Sequence, residues 1–174
     1  MQGGSGMDGT EATDTMEAMA KRVIDEFAAR GLTVATAESC TGGLIAKTLT
    51  DIAGSSAVFA GACVTYTNEV KERLLGVDPA TIARETEVSH ACAGEMAACV
   101  RQKLGVDVGV STTGYAGPGG GTERDPVGTV YIGWSTARES GTERFCAPAG
   151  ADRSGVREAA TLRALEILLS LGED

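Results

Sequence analysis

The chain has 174 residues, enough for one compact domain whose core needs no disulfide or metal staple. Its composition, 43% hydrophobic and 22% charged, is that of a folded protein and not of a disordered tail. Fifteen basic against twenty-four acidic residues leave a net charge of −9, which argues against duplex nucleic acid or an anionic membrane surface as partner.

Residues 1–13 are polar and Gly-rich and read as a disordered extension. The start, MQGGSGM, has the look of a vector remnant before a natural start at Met7. Residues 14–174 read as a single domain. From Met16 the positions Met19, Ala20, Val23, Ile24, Phe27 and Ala28 form one helical stripe, stopped by Gly31. Leu32 to Ala37 is a β-branched run of strand type, and Thr41 to Thr50 can form a helix. Val58 to Tyr66 reads as a second strand, followed by a helix from Asn68 to Leu75. Pro79 opens a short helix. Ser89 can cap a longer one that carries Ala93, Met96, Ala97, Val100 and Leu104, and Gly105 ends it. Val106, Val108 and Val110 alternate as a strand, as do Val130, Ile132 and Trp134, and Arg144 to Ala147 can pair with the latter as a hairpin. Val156 to Leu171 closes the chain as a helix.

Interleaved helices and strands predict an α/β fold, a three-layer α/β/α sandwich. The hairpin near the end makes the sheet mixed. In such sheets ligands gather at the carboxyl ends of strands. Glycine makes up 24 of the 174 residues, about twice the usual ~7% share, and clusters at the ends of apolar segments.

The histidine and cysteine inventory narrows the chemistry. His90 is the only histidine, so multi-histidine zinc sites are excluded. It adjoins a helix cap, where a capping or solvated role is expected. The cysteines Cys40, Cys63, Cys92, Cys99 and Cys146 contain no C-x-x-C pair and read as reduced thiols. No metal and no cofactor are expected. There is neither a secretory signal nor an apolar run of about 18 residues, and the expected location is the cytoplasm.

Four segments can carry chemistry, and the three Gly-rich or Ser-rich ones follow predicted strands. In Thr36-Ala37-Glu38-Ser39-Cys40-Thr41-Gly42-Gly43 a strand gives way to a helix, so the Ser39 hydroxyl can be aimed out of the sheet edge. The amides of Thr41, Gly42 and Gly43 would be free donors for an oxyanion. The plainer account is N-capping, and Cys40 is a rival nucleophile or a buried filler. In Tyr66-Thr67-Asn68-Glu69-Val70-Lys71 the lysine falls in the first turn of a helix, where the helix field and burial would lower its pKa. A neutral lysine can take a proton from a serine, and Tyr66 could relay it. The plainer account is a solvated lysine. In Thr112-Thr113-Gly114-Tyr115-Ala116-Gly117-Pro118-Gly119-Gly120-Gly121 the backbone amides can crowd an anion, or the segment is a flexible connection without P-loop spacing. In Asp152-Arg153-Ser154-Gly155-Val156-Arg157 two arginines at a helix start can clamp a phosphate or form surface ion pairs.

The stretches TAESCTGG, SSAVFAGACVTYTNEVKERLLGV, TTGYAGPGGG with PVGTVYIGW, and ADRSGVR together resemble the CinA C-terminal domain family, also called nicotinamide-nucleotide amidases. They span nearly the whole chain. The resemblance implies hydrolysis of the carboxamide of nicotinamide mononucleotide to nicotinic acid mononucleotide and ammonia. It implies Ser39 as nucleophile, Lys71 as base and Tyr66 as its assistant. It places Thr41, Gly42, Gly43, Thr113, Gly114, Arg153 and Arg157 at the substrate, a pyridine mononucleotide. Four positions depart from the family pattern, and two of them, Tyr115 and Asp125, flank the glycine loop. Tyr115 stands where Ile or Val is commoner, Asp125 where Lys is frequent, and Ala62 and Ala151 where Gly is usual. The alternative is a non-catalytic nucleotide-binding or interaction module, in keeping with the competence and DNA-damage labels in the family. An Ala- and Gly-rich surface is compatible with a homo-oligomer.

Overall fold

The computed structural model describes residues 9–172. Helix α1 (Gly9–Arg30) is followed by β1 (Val34–Glu38), α2 (Leu44–Thr50) and β2 (Phe59–Val64). Next come α3 (Asn68–Val70), running on as a π-helical turn over Lys71–Leu75, then α4 (Pro79–Glu85) and α5 (His90–Leu104). Strands β3 (Val108–Gly114), β4 (Thr129–Ser135) and β5 (Ser140–Cys146) precede the last helix, α6 (Arg153–Gly172). Residues 1–8 of the expected N-terminal extension lie outside the described residues. Helix α1 takes in residues 9–13, where Ala12 is the only apolar position and no stripe could be read.

The five strands form one sheet in the order β2-β1-β3-β4-β5. β1 pairs in parallel with β2 and β3, whereas β3/β4 and β4/β5 are antiparallel. The sheet is therefore mixed, and the fold is the three-layer sandwich that the alternation of elements predicts. Helices α1, α2 and α6 cover one face, where Phe27, Ile45, Leu49, Leu165 and Leu168 pack on Val34, Val110 and Ile132. Each such side chain contributes about 1.5–3 kcal/mol by leaving water. Helix α5 covers the other face, with Cys92, Met96 and Val100 packed against Ala35, Ala37 and Leu75. It lies very close to the sheet because Gly109 and Gly133 face it. A Cβ on Gly133 would meet the Ala93 carbonyl and come within 2.8 Å of the Ser111 hydroxyl.

Local signals set the helix ends. The Ser89 hydroxyl accepts the Cys92 amide at 3.1 Å, and Gly105 ends α5 in the left-handed conformation. Because β1, β2 and β3 run in parallel, their carboxyl ends lie at one edge of the sheet. The segments after Glu38, Val64 and Gly114 converge there, together with the start of α6.

Candidate active site

A cleft of about 250 Å³ opens at that edge. Its lining includes Ser39, Tyr66, Lys71, Glu87, Thr113, Gly114 and Arg153. A larger cavity, about 420 Å³, lies at the opposite end of the strands, around Arg101, Asp107 and Arg138. It holds none of the candidate nucleophiles.

The serine is held from below. Its amide donates to the Thr112 carbonyl at 3.0 Å, which extends the β1–β3 pairing by one residue. The turn that follows is organised by Glu38, which is fully buried. Its carboxylate accepts the hydroxyls of Thr36 (3.1 Å) and Thr41 (2.7 Å) and the amides of Gly43 (3.0 Å), Ile45 (3.1 Å) and Ala46 (2.8 Å). A charge buried with five donors around it is well compensated, and it fixes the turn from inside the helix start. Motif and spacing alone assign Glu38 no role. The available signal is one carboxylate closing an otherwise uncharged strand immediately before a helix.

This arrangement corrects the expected donors. The Gly43 amide belongs to Glu38, and the Gly42 amide donates to the Ser39 carbonyl at 3.0 Å. The Thr41 side chain points inward, to Glu38 and Thr112. Among the described residues no oxygen takes the amides of Cys40 and Thr41, which lie against the Cys40 sulfur next to Ser39. Gly42 is required for its backbone, with φ of 63° and the Arg157 guanidinium packed where a Cβ would stand. Arg157 donates to the Thr41 carbonyl through Nε (3.1 Å) and Nη2 (2.7 Å). It braces the turn and does not line the cleft, contrary to its expected place at the substrate.

Lys71 is 1% exposed. Its Nζ donates to the Ser39 hydroxyl oxygen at 3.0 Å and to the Thr65 carbonyl at 3.0 Å. Burial pushes its pKa below the ordinary 10.5, while Cys92, Glu87 and Cys40 pull weakly the other way. Among the described residues no carboxylate pairs with it within ion-pair distance. An amine so placed, once neutral, can keep one N–H on Thr65 and use its lone pair for the serine proton. The π-helical turn begins at this residue, whose carbonyl accepts the Gly76 amide at 3.0 Å. Such turns concentrate at functional sites, and a regular helix was the expectation here.

The rival nucleophile is disfavoured. Burial pushes the Cys40 thiol up to about 12, so its thiolate is scarce at neutral pH. Tyr66 is half exposed on the rim, and its hydroxyl accepts from Arg153 and makes no bond to Lys71 or Ser39. Arg153 also donates to the Gly117 carbonyl at 2.6 Å, which ties the glycine loop to α6. Thr113 donates to the Glu87 carbonyl at 2.7 Å. His90 lies away from the cleft, with Nδ1 2.8 Å from the Thr142 hydroxyl and its ring edge-on to Tyr131.

Asp125, one of the departures noted in the sequence, is buried. Burial opposes its ionisation, but bonds from Arg144 Nε (2.9 Å) and the Tyr131 hydroxyl (2.9 Å) outweigh that and hold its carboxyl below the usual range. It clasps the far end of the glycine loop to β4 and β5.

Among the described residues no group of three or more His, Cys, Asp or Glu is placed to hold a metal ion, and no helix is long and apolar enough to cross a membrane.

The profile of the CinA C-terminal domain matches residues 16–171. The chain belongs to the CinA C-terminal domain family. Within that family it is 47% identical over 151 residues to the nicotinamide-nucleotide amidohydrolase PncC of Escherichia coli, covering 86% of this chain and 90% of that one. It is 56% identical over 116 residues to a CinA-like protein of Chloroherpeton thalassium, covering 67% of this chain and 28% of the relative. The chain thus spans little more than a quarter of that longer CinA relative. The crystal structure of the competence/damage inducible protein CihA from Agrobacterium tumefaciens superposes with a TM-score of 0.88 at 38% identity, covering 99% of this chain and 100% of that one. The CinA fold and its parallel core strands are therefore shared, and with them the sheet edge that carries the cleft.

Proposed function

We propose that this CinA-family chain is an amidohydrolase that deamidates nicotinamide mononucleotide, with Ser39 as nucleophile and Lys71 as general base. The observation that carries the proposal is the fully buried Lys71 amine, 3.0 Å from the Ser39 hydroxyl, with its pKa pushed down by burial. The similarity to a named nicotinamide-nucleotide amidohydrolase over most of both chains supports the substrate class.

Neutral Lys71 accepts the Ser39 proton as Oγ attacks the carboxamide carbon. The Cys40 and Thr41 amides face the developing oxyanion. Lys71 returns the proton to the departing nitrogen, ammonia leaves, and water resolves the acyl-enzyme by the same route in reverse. Arg153 receives the phosphate, and Tyr66 acts by holding Arg153 in place. The substrate's ring and ribose lie along Thr113, Gly114 and the glycine loop.

The test is incubation with nicotinamide mononucleotide, following ammonia and the mass gain from replacing an amide NH2 by OH. Wild-type protein should turn over in the presence of EDTA. Ser39→Ala should abolish turnover while keeping the circular dichroism of the wild type. Turnover by Ser39→Ala would refute the mechanism. Binding without turnover by the wild type would leave the chain a nucleotide-binding module.

A further inference from the structure

Glu87 lies between α4 and α5 and lines the same cleft as Ser39, Lys71 and Arg153. Its backbone is tied to the end of β3 by the Thr113 hydroxyl. Among the described residues it is the only carboxylate lining the cleft, and no donor or ion-pair partner takes its side-chain oxygens. Its charge opposes the fall in the Lys71 pKa and adds to the rise in those of Cys92 and Tyr115. The cleft also holds the Arg153 guanidinium, on the Tyr66 and Gly117 side. A negative and a positive side chain thus share one small cleft without neutralising each other.

We propose that Glu87 is a specificity-determining residue that faces the cationic pyridinium ring of the substrate, so that Glu87 and Arg153 together select a zwitterion with a positive ring and a negative phosphate. The proposal rests on the amidase reading given above. Its logic is positional: the carboxamide must sit at Ser39 beside Lys71, and its ring is bonded directly to it. The ring therefore enters the field of Glu87. A carboxylate facing a cation in a partly enclosed cleft is worth more than the same pair in bulk water. The arriving ring also offsets the pull of Glu87 on Lys71 and so favours the neutral amine that the reaction needs. Hydrolysis then leaves a carboxylate in place of the amide, near Glu87, and like charges favour its departure.

The experiment uses Ser39→Ala protein, which binds without turning over, with and without Glu87→Gln. Each is titrated by calorimetry with nicotinamide mononucleotide, whose ring is cationic, and with its 1,4-dihydro form, whose ring is neutral. Glu87→Gln should weaken the cationic form about tenfold and the neutral form by less than about twofold. Glu87→Asp, which keeps the charge, should retain most of the preference. Equal weakening of the two forms, or weakening of neither, overturns the role of Glu87. Ammonia release by the wild type is measured alongside. Its absence would sink the amidase reading itself, whereas release together with an unchanged binding ratio sinks only the role of Glu87.

Discussion

Replacing Lys71 by Met keeps most of the side chain's volume and removes its one titrating atom. Burial holds the folded pKa of Lys71 below its ordinary 10.5. Between the folded value and 10.5 the unfolded chain therefore binds one proton more than the folded chain. Wild-type stability must rise with pH across that window, by at most about 1.4 kcal/mol per pH unit. Below the folded value both states are protonated and the dependence vanishes. Met carries no proton, so subtracting its curve removes the contributions of cysteines and tyrosines that titrate in the same range. Losing the bonds to Ser39 and Thr65 costs the variant about 1 kcal/mol each, a term that pH does not change. The assay is urea unfolding of both proteins in steps from about pH 6 to about pH 10. The wild-type minus variant difference should climb with pH in the window, and ammonia release by the variant should be absent throughout. Parallel stability curves would mean that Lys71 titrates like a surface lysine, and the general-base role would fall with them.

The other expectations test separate parts of the site. Iodoacetamide should leave activity intact at neutral pH, because the buried Cys40 thiol is pushed up to about 12; inactivation that tracks alkylation of Cys40 by mass would contradict this. Asp125→Ala strands the buried Tyr131 hydroxyl and frees the glycine loop, so about 1–3 kcal/mol of stability should be lost and KM should rise more than kcat falls. Asp125→Asn, which still accepts from Tyr131, should recover part of both, and an unchanged KM in the Ala variant would deny the loop its clasp. Gly133→Ala drives a methyl into the Ala93 carbonyl, so thermal unfolding should show a loss of about 1–3 kcal/mol or more; a neutral effect would mean that α5 can lift off the sheet without cost.

Residues whose roles are local are legible in the sequence. The Ser89 cap and the Gly105 stop of α5 stand where the sequence pattern puts them, since a hydroxyl and a missing Cβ act within one turn. The apolar stripe of α1 likewise announces its buried face, at Ala20, Val23, Ile24 and Phe27, whereas the alternation in β4 does not, because α5 and α6 bury both faces of that strand. Roles that depend on competition between partners are not legible in this way. Three glycine and threonine amides follow Ser39, but which of them stay free depends on Glu38, whose oxygens claim Gly43, Ile45 and Ala46. Arg153 and Arg157 are one helical turn apart, yet one reaches the cleft and the other braces the Thr41 carbonyl. Tyr66 precedes Lys71 by five residues, and its hydroxyl goes to Arg153.

Periodicity, caps and turn glycines are enough to specify the layers of this protein, because each reports on burial or backbone conformation over a few residues. They also mark Ser39 and Lys71 as chemically interesting. The meeting of those two side chains across 32 residues is a consequence of β1 and β2 lying side by side in parallel. That pairing sends both strand ends to one edge, and the close approach of α5 seals the amine from water. Depth below the surface is what changes a lysine from a solvated cation into a base, and depth is a property of the packed layers rather than of any segment within them.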